Sequence, residues 1–316
     1  MARTPLSGTQ YTLRAGDDEA VIASVGASLR SLRHGDRDLV VPFEADEVRP
    51  AYRGATLVPW PNRIVDGRFT FAGVEHQTPL TEPERGHALH GLAAWLDFDA
   101  VDRGTDHVTL ASTIPAQLGY PWQVRIETRF ALSSVGLVQS VTATNESAEP
   151  APFGTAPHPY LVAGPNPLDT WTLSLPADMV LEVTPDRLSP VAVAGVESDA
   201  DRFDFRTPRV LGAVEIDHAY TGLRRDGAGF ATVRVTDAAA GTGVEIAWDA
   251  ACPWVQIHTA DKPGGPGTPG HRAGLAVEPM TCAPDAFNAD RYDYDAGLIV
   301  LAPGASATAS WRIAAL

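Results

Sequence analysis

Apolar and polar residues alternate with a period of two along much of this chain. In Val124-Arg125-Ile126-Glu127-Thr128-Arg129-Phe130-Ala131-Leu132 the large apolar side chains fall on even numbers and the charged ones on odd numbers. Such alternation describes a strand with one buried face. Val244, Ile246 and Trp248 repeat it around Glu245 and Ala247, and Ala305, Ala307, Ala309, Trp311 and Ile313 repeat it near the end of the sequence. Further strands are predicted at residues 21–25, 108–114, 137–144, 170–175, 232–236 and 254–259. No long window carries the i, i+3, i+4, i+7 stripe of an amphipathic helix. A helical turn is expected at most over residues 112–118, kept short by Pro115 and Gly119. The 28 glycines and 26 prolines are spread throughout and punctuate many short elements. Short strands without crossover helices predict an all-β fold, an antiparallel sandwich or barrel. Large β architectures reach this length as one domain, so residues 1–316 are expected to form a single domain. The Gly/Pro-rich run from Asp261 to Gly270 reads as a long mobile loop within it.

Composition narrows the function classes. A 44% hydrophobic and 20% charged chain of 316 residues is that of a soluble globular protein with a large core. The net charge is −15 and Lys262 is the sole lysine, which excludes the basic face that nucleic acid requires. Cys252 and Cys282 make no disulfide framework. No apolar run of ~18 residues predicts a membrane span. The first residues lack the apolar run of a signal peptide, so a cytoplasmic location is expected.

Four segments place polar residues in rigid surroundings. Pro59-Trp60-Pro61-Asn62-Arg63 stiffens the chain around an aromatic ring and a planar fork of donors. Gly86-His87-Ala88-Leu89-His90-Gly91, followed by Trp95, brings two histidines together. An H-x-x-H spacing alone makes a weak metal motif, since three or four ligands must converge. Ala156-Pro157-His158-Pro159-Tyr160 fixes the backbone on both sides of a histidine. Leu275-Ala276-Val277-Glu278 ends a buried apolar run on a carboxylate, which must be paired or poised. An apolar pocket raises such a carboxyl towards the range of a general base. A fifth segment, Glu215-Ile216-Asp217-His218-Ala219-Tyr220, offers Asp217. A His and a Glu facing each other across one pocket can donate and accept protons together.

Taken in order, these segments resemble the aldose 1-epimerase (galactose mutarotase) family. The matching elements are Asn62-Arg63-Ile64 with Gly67 and Phe69, Leu89-His90-Gly91, His158-Pro159-Tyr160, Asp217 before an aromatic, and Glu278 with Pro284, Ala286 and Asn288. The resemblance implies a large antiparallel β-supersandwich. It implies Glu278 as the general base at the sugar's C1 hydroxyl and His158 as the general acid at the ring oxygen. His90, Arg63 and Asp217 would hold the sugar, and no cofactor or metal would be needed. Trp60 and Trp95 lie outside the strict motif and are added as candidate sugar-stacking faces. The implied partner is a small-molecule sugar, with no nucleic acid or membrane, and the protein is expected as a monomer or homodimer.

The sequence also departs from the family's better-known members. Leu89-His90-Gly91-Leu92 replaces Leu-His-Gly-Gly, Arg85-Gly86-His87 stands where an Asn is common, and Pro279-Met280 follows the Glu in place of Thr-Gln. These positions belong to sugar-contacting loops, so the sugar is open. The main expectation is a mutarotase of a free aldose. One alternative is an anomerase of an anionic hexose, a 6-phosphate or a 6-sulfonate such as sulfoquinovose, with Arg49, Arg53, Arg85 or Arg272 as the cationic donors. Another is a carbohydrate-binding protein on the same fold without catalysis.

Overall fold

The structure, a computed structural model, describes residues 3–316. Its largest unit is a nine-stranded antiparallel sheet. Strands His107–Ile114, Val124–Ser133, Gly136–Asn145, Ser306–Ala315 and Thr242–Trp248 run side by side at its centre. In Val124–Ser133 the even-numbered residues are buried, as the alternation requires. A six-stranded antiparallel sheet has the order Tyr160–Leu161, Leu275–Met280, Trp254–His258, Asp217–Leu223, Ala177–Val183, Pro190–Gly195. A four-stranded sheet from Gln10 to Asp38 and several short pairs complete the fold.

Two expectations need correction. Residues 112–118 form no helical turn: the strand continues to Ile114 and a tight Gln117–Tyr120 bridge follows. The one α-helical turn among the described residues is Ala200–Phe203, capped by the Asp199 side chain. Strand Thr242–Trp248 does not alternate in burial, because Glu245 is also buried. Arg234 and Arg312 from the two flanking strands bridge it at 3.0 and 2.9 Å, so a charged residue tolerates the position.

The main core contains the inward faces of both large sheets. Val124, Ile126, Phe130, Val141, Ile246 and Ile313 join it from one, and Val180, Tyr220, Val255, Ile257 and Val277 from the other. Side chains alternate across a strand. The core therefore takes the odd-numbered residues of Trp254–His258 and Leu275–Met280 and leaves Gln256, His258, Ala276 and Glu278 on the opposite face. That second face is also covered. Ala55, Leu57, Ala94, Ala156, Cys282 and Ala286 pack there against Ala219, Trp254 and Met280. The middle strands of the six-stranded sheet are thus covered on both sides, and Gln256 and Glu278 on the second face are enclosed. No helix among the described residues is long and apolar enough to cross a membrane.

Candidate active site

Glu278 lies inside strand Leu275–Met280, every residue of which is buried. Its neighbour across the ladder is Gln256, and on the next strand Ala219 pairs with Gln256. One row along, Asp217, His258, Ala276 and Tyr160 are successive partners. These residues form the floor of the site, with Ala276 packed against Tyr160 and Ala260.

His158 reaches the floor from the segment that leads into strand Tyr160–Leu161. Its Nε2 stands 3.5 Å from Glu278 Oε1, and both side chains are almost fully enclosed. The segment is held by Gly54, whose N–H donates to the His158 carbonyl at 2.8 Å. Thr155 and Thr281 tie it to the Glu278 strand, Thr155 N–H donating to Thr281 Oγ1 at 2.9 Å and Thr281 N–H to the Thr155 carbonyl at 3.0 Å. The His158 ring stacks on Tyr160 with centroids 5.0 Å apart.

His90 meets His158 edge to face at 5.0 Å. It and Asn62 adopt left-handed backbones, φ 61° and 52°, uncommon outside glycine. They hold each other there. His90 N–H donates to the Asn62 carbonyl at 2.8 Å, and Asn62 N–H donates to His90 Nδ1 at 3.2 Å. An accepting Nδ1 puts the proton of the neutral ring on Nε2, ready to donate. Gly91 beside it is required: a Cβ there would lie 2.1 Å from the Val58 carbonyl oxygen.

Arg63 is buried, and its fork is largely committed. Nε and Nη2 donate to the two oxygens of Glu82 at 2.7 and 3.0 Å, and Nη1 leans on Asn62 Oδ1 at 3.3 Å. The loop after Glu278 props it from behind: Asp285 N–H donates to the Arg63 carbonyl at 2.7 Å, and Asp285 Oδ1 accepts from Val65 N–H at 2.8 Å.

Asp217 Oδ1 accepts from Gln256 Nε2 at 2.7 Å. Burial pushes the Asp217 carboxyl up, but His258, Arg63 and the Gln256 amide outweigh it and hold the group below the usual carboxylate range. Glu278 goes the other way. Burial, with Asp217 adding repulsion, raises its carboxyl well above the usual range. Burial also lowers His158, to about 3, and takes His90 well below the ordinary imidazole value. In both groups burial thus favours the uncharged form, Glu278 being raised and His158 lowered. Glu278 Oε2 and Gln256 Oε1 are enclosed without a hydrogen-bond partner. Enclosed, unpaired oxygens are costly, and a polyhydroxylated ligand would satisfy them.

The model of the family described as aldose 1-epimerase matches residues 9–314 of this chain. The chain belongs to the aldose 1-epimerase family. Among its relatives is the uncharacterized protein YihR of Escherichia coli, 32% identical over 283 residues, which cover 89% of this chain and 87% of YihR. A solved putative aldose 1-epimerase from Escherichia coli K12 superimposes with a TM-score of 0.81 at 23% identity, covering 98% of this chain and 99% of that one. A galactose 1-epimerase from Lactobacillus acidophilus aligns with a TM-score of 0.78 at 16% identity over 97% and 94% of the two chains. These neighbours show the expected galactose mutarotase-like fold, and with the family they support a carbohydrate epimerase, an isomerase.

Within this aldose 1-epimerase fold, Glu278 touches His158, His90 packs on His158, and Arg63 and Asp217 lie within electrostatic reach of Glu278. Trp95 stands at the rim of this group, 53% exposed, 5.9 Å from Tyr52 and backed by the Arg49 guanidinium at 4.6 Å. Trp60 does not join them. It packs in the core against Tyr120 and Phe287, and its indole N–H donates to the Ala88 carbonyl. It supports the loop that presents Asn62 and Arg63, and its ring offers no stacking face to a sugar. His87 is also structural: its Nδ1 accepts from Asp66 N–H at 3.2 Å and its Nε2 faces the Arg187 carbonyl at 3.0 Å.

Three of the four candidate arginines are spent on the fold. Arg49 is buried against Val25, Ser28 and Ala94, Arg85 pairs with Glu82, and Arg272 pairs with Asp169 and Asp261. Sequence reasoning missed Tyr52, Glu82, Gln256 and His258. Gln256 was legible in principle, because period two puts it on one face with His258. Tyr52, whose ring lies 4.7 Å from His90, gave no motif signal.

Proposed function

We propose that this protein is a mutarotase that interconverts the α and β anomers of a free aldose. The observation that carries the reading is the enclosed contact between His158 Nε2 and Glu278 Oε1 at 3.5 Å. The C1 hydroxyl and the ring oxygen of an aldose hang from one carbon, so an acid and a base that sit side by side can reach both. The reacting form has the pair's proton on His158 and a Glu278 carboxylate, whose charge Arg63 stabilises against burial and the Asp217 repulsion. The carboxylate then takes the C1 hydroxyl proton while His158 protonates the ring oxygen. The C1–O5 bond breaks and an aldehyde forms. Glu278 is now protonated and His158 neutral, the form that burial favours. Rotation about C1–C2 presents the other carbonyl face, and the reverse transfers close the ring. Atoms and electrons balance without a cofactor. His90 Nε2–H, the free hydrogens of Arg63 and the Asp217 carboxylate are the groups that hold hydroxyls, with Trp95 at the rim. The partner is a small-molecule sugar.

The test is relaxation of optical rotation in freshly dissolved aldoses. Acceleration by the protein supports the reading, and sugar binding without acceleration would establish a binding protein instead. A second reading, an aldose bearing an anionic group at C6, is favoured by one observation. Among the described residues Arg53 has no carboxylate partner, donating only to the Pro42 carbonyl at 3.0 Å, and its charge reaches Tyr160 on the pocket floor. Faster anomerisation of 6-phosphorylated or 6-sulfonated hexoses than of neutral ones would select it.

A further inference from the structure

His258 ends strand Trp254–His258 with Asp217 as its partner on one side and Ala276 on the other. It points to the same side of the sheet as Gln256, two residues earlier, and so towards the pocket. Its side chain is 23% exposed and makes no hydrogen bond. Its Nδ1 is enclosed without a hydrogen bond and stands 3.8 Å from Asp217 Oδ1, within ion-pair range and too far for a hydrogen bond. On its other flank Tyr160 lies 6.4 Å away between ring centroids, on the far side of Ala276. A polar ring packed this closely normally finds a partner. Here the neighbouring Asp217 oxygen is already taken by Gln256.

The position along the sheet says which part of a ligand it would meet. Glu278 and Gln256 share one row, and His258 and Asp217 the next. Two residues along a strand span about 6.6 Å, comparable to the breadth of a pyranose ring. A sugar with its anomeric carbon at Glu278 therefore presents its far hydroxyls to the second row. We infer that His258, beside the hydroxyl-holding Asp217, is a further specificity residue that reads the configuration of the aldose at the carbons remote from C1. The His258 ring nitrogens and the Asp217 carboxylate oxygens together can grip neighbouring hydroxyls. His258 is a specificity residue in this scheme and takes no part in proton transfer at C1. The inference rests on the aldose reading of the pocket.

Equilibrium binding separates the two. Calorimetry of the full-length protein with an aldose that it binds, that sugar's monodeoxy analogues and its C4 epimer needs no turnover. With His258 present, removing the contacted hydroxyl should weaken binding roughly 5- to 10-fold, the cost of one hydrogen bond. His258→Phe should erase that penalty for this hydroxyl alone, and His258→Gln should restore part of it. Equal weakening for the parent sugar and every analogue would mark a structural role and overturn the inference, as would unchanged affinities. Binding without anomerisation would count against the mutarotase reading and leave the inference standing. No binding of any aldose would overturn both.

Discussion

Glu82 should hold the charged side of the pocket together. Its two oxygens take Arg63 Nε and Nη2 at 2.7 and 3.0 Å, and both side chains are about nine-tenths enclosed. Glu82→Gln keeps the shape and removes the charge, leaving a buried guanidinium without its counter-ion. Breaking such a pair costs about 3 kcal/mol, at the lower end of the buried range because neither group is wholly dry. The second partner, Arg85, is 38% exposed and adds little. At about 2.1 cal/mol/K per residue, a 316-residue chain loses about 1.5 °C per kcal/mol, so the melting temperature should fall by about 4–5 °C. Differential scanning calorimetry measures it. Glu82→Gln/Arg63→Met, which removes both charges, should recover most of the loss. A single variant melting within about 1 °C of wild type, or a double variant no better than the single, would refute the reasoning.

Other expectations follow from burial. The pH–rate profile should be a broad bell belonging to the Glu278–His158 pair: activity falls on the acid side only as His158 takes a second proton near pH 3, and on the alkaline side as the raised Glu278 loses the last one. A narrow bell between the ordinary Glu and His values would contradict the directions found here. His218, packed on Phe203, is lowered by burial to about 4. The unfolded chain then binds its proton first, so up to about 3 kcal/mol of stability should be present above pH 6.5 and lost as pH falls towards 4, measurable by urea unfolding and absent in His218→Phe. Trp60→Ala should destabilise by about 3–5 kcal/mol. Trp95→Ala should leave the melting temperature nearly unchanged and raise KM more than it lowers kcat.

Much of the fold was legible because half-buried strands announce themselves. The Val124–Ser133 alternation needed no tertiary knowledge. Strands buried on both faces were harder, since no polar side recurs: Glu245 looked solvent-facing until its two arginine neighbours came from adjacent strands. Residues carried by motifs are brought near one another by the fold, and Glu278 stood out as a carboxylate in an apolar run. Trp60 misled because a Pro-flanked aromatic looks alike whether it props a loop or faces a ligand. The arginines misled because a side chain's partner lies far along the chain, as Asp169 does for Arg272. Glu82, Gln256 and His258 acquire meaning only through strand register and ion pairing, which one sequence does not display.

The most direct measurement is the rate of anomeric exchange, read by NMR on a freshly dissolved aldose, for wild type, Glu278→Gln and His158→Asn. Each variant should fold, bind sugar and lose roughly 10²–10⁴-fold in catalysed exchange. Exchange that stays at the wild-type rate in either variant would contradict the pairing of Glu278 and His158 as base and acid.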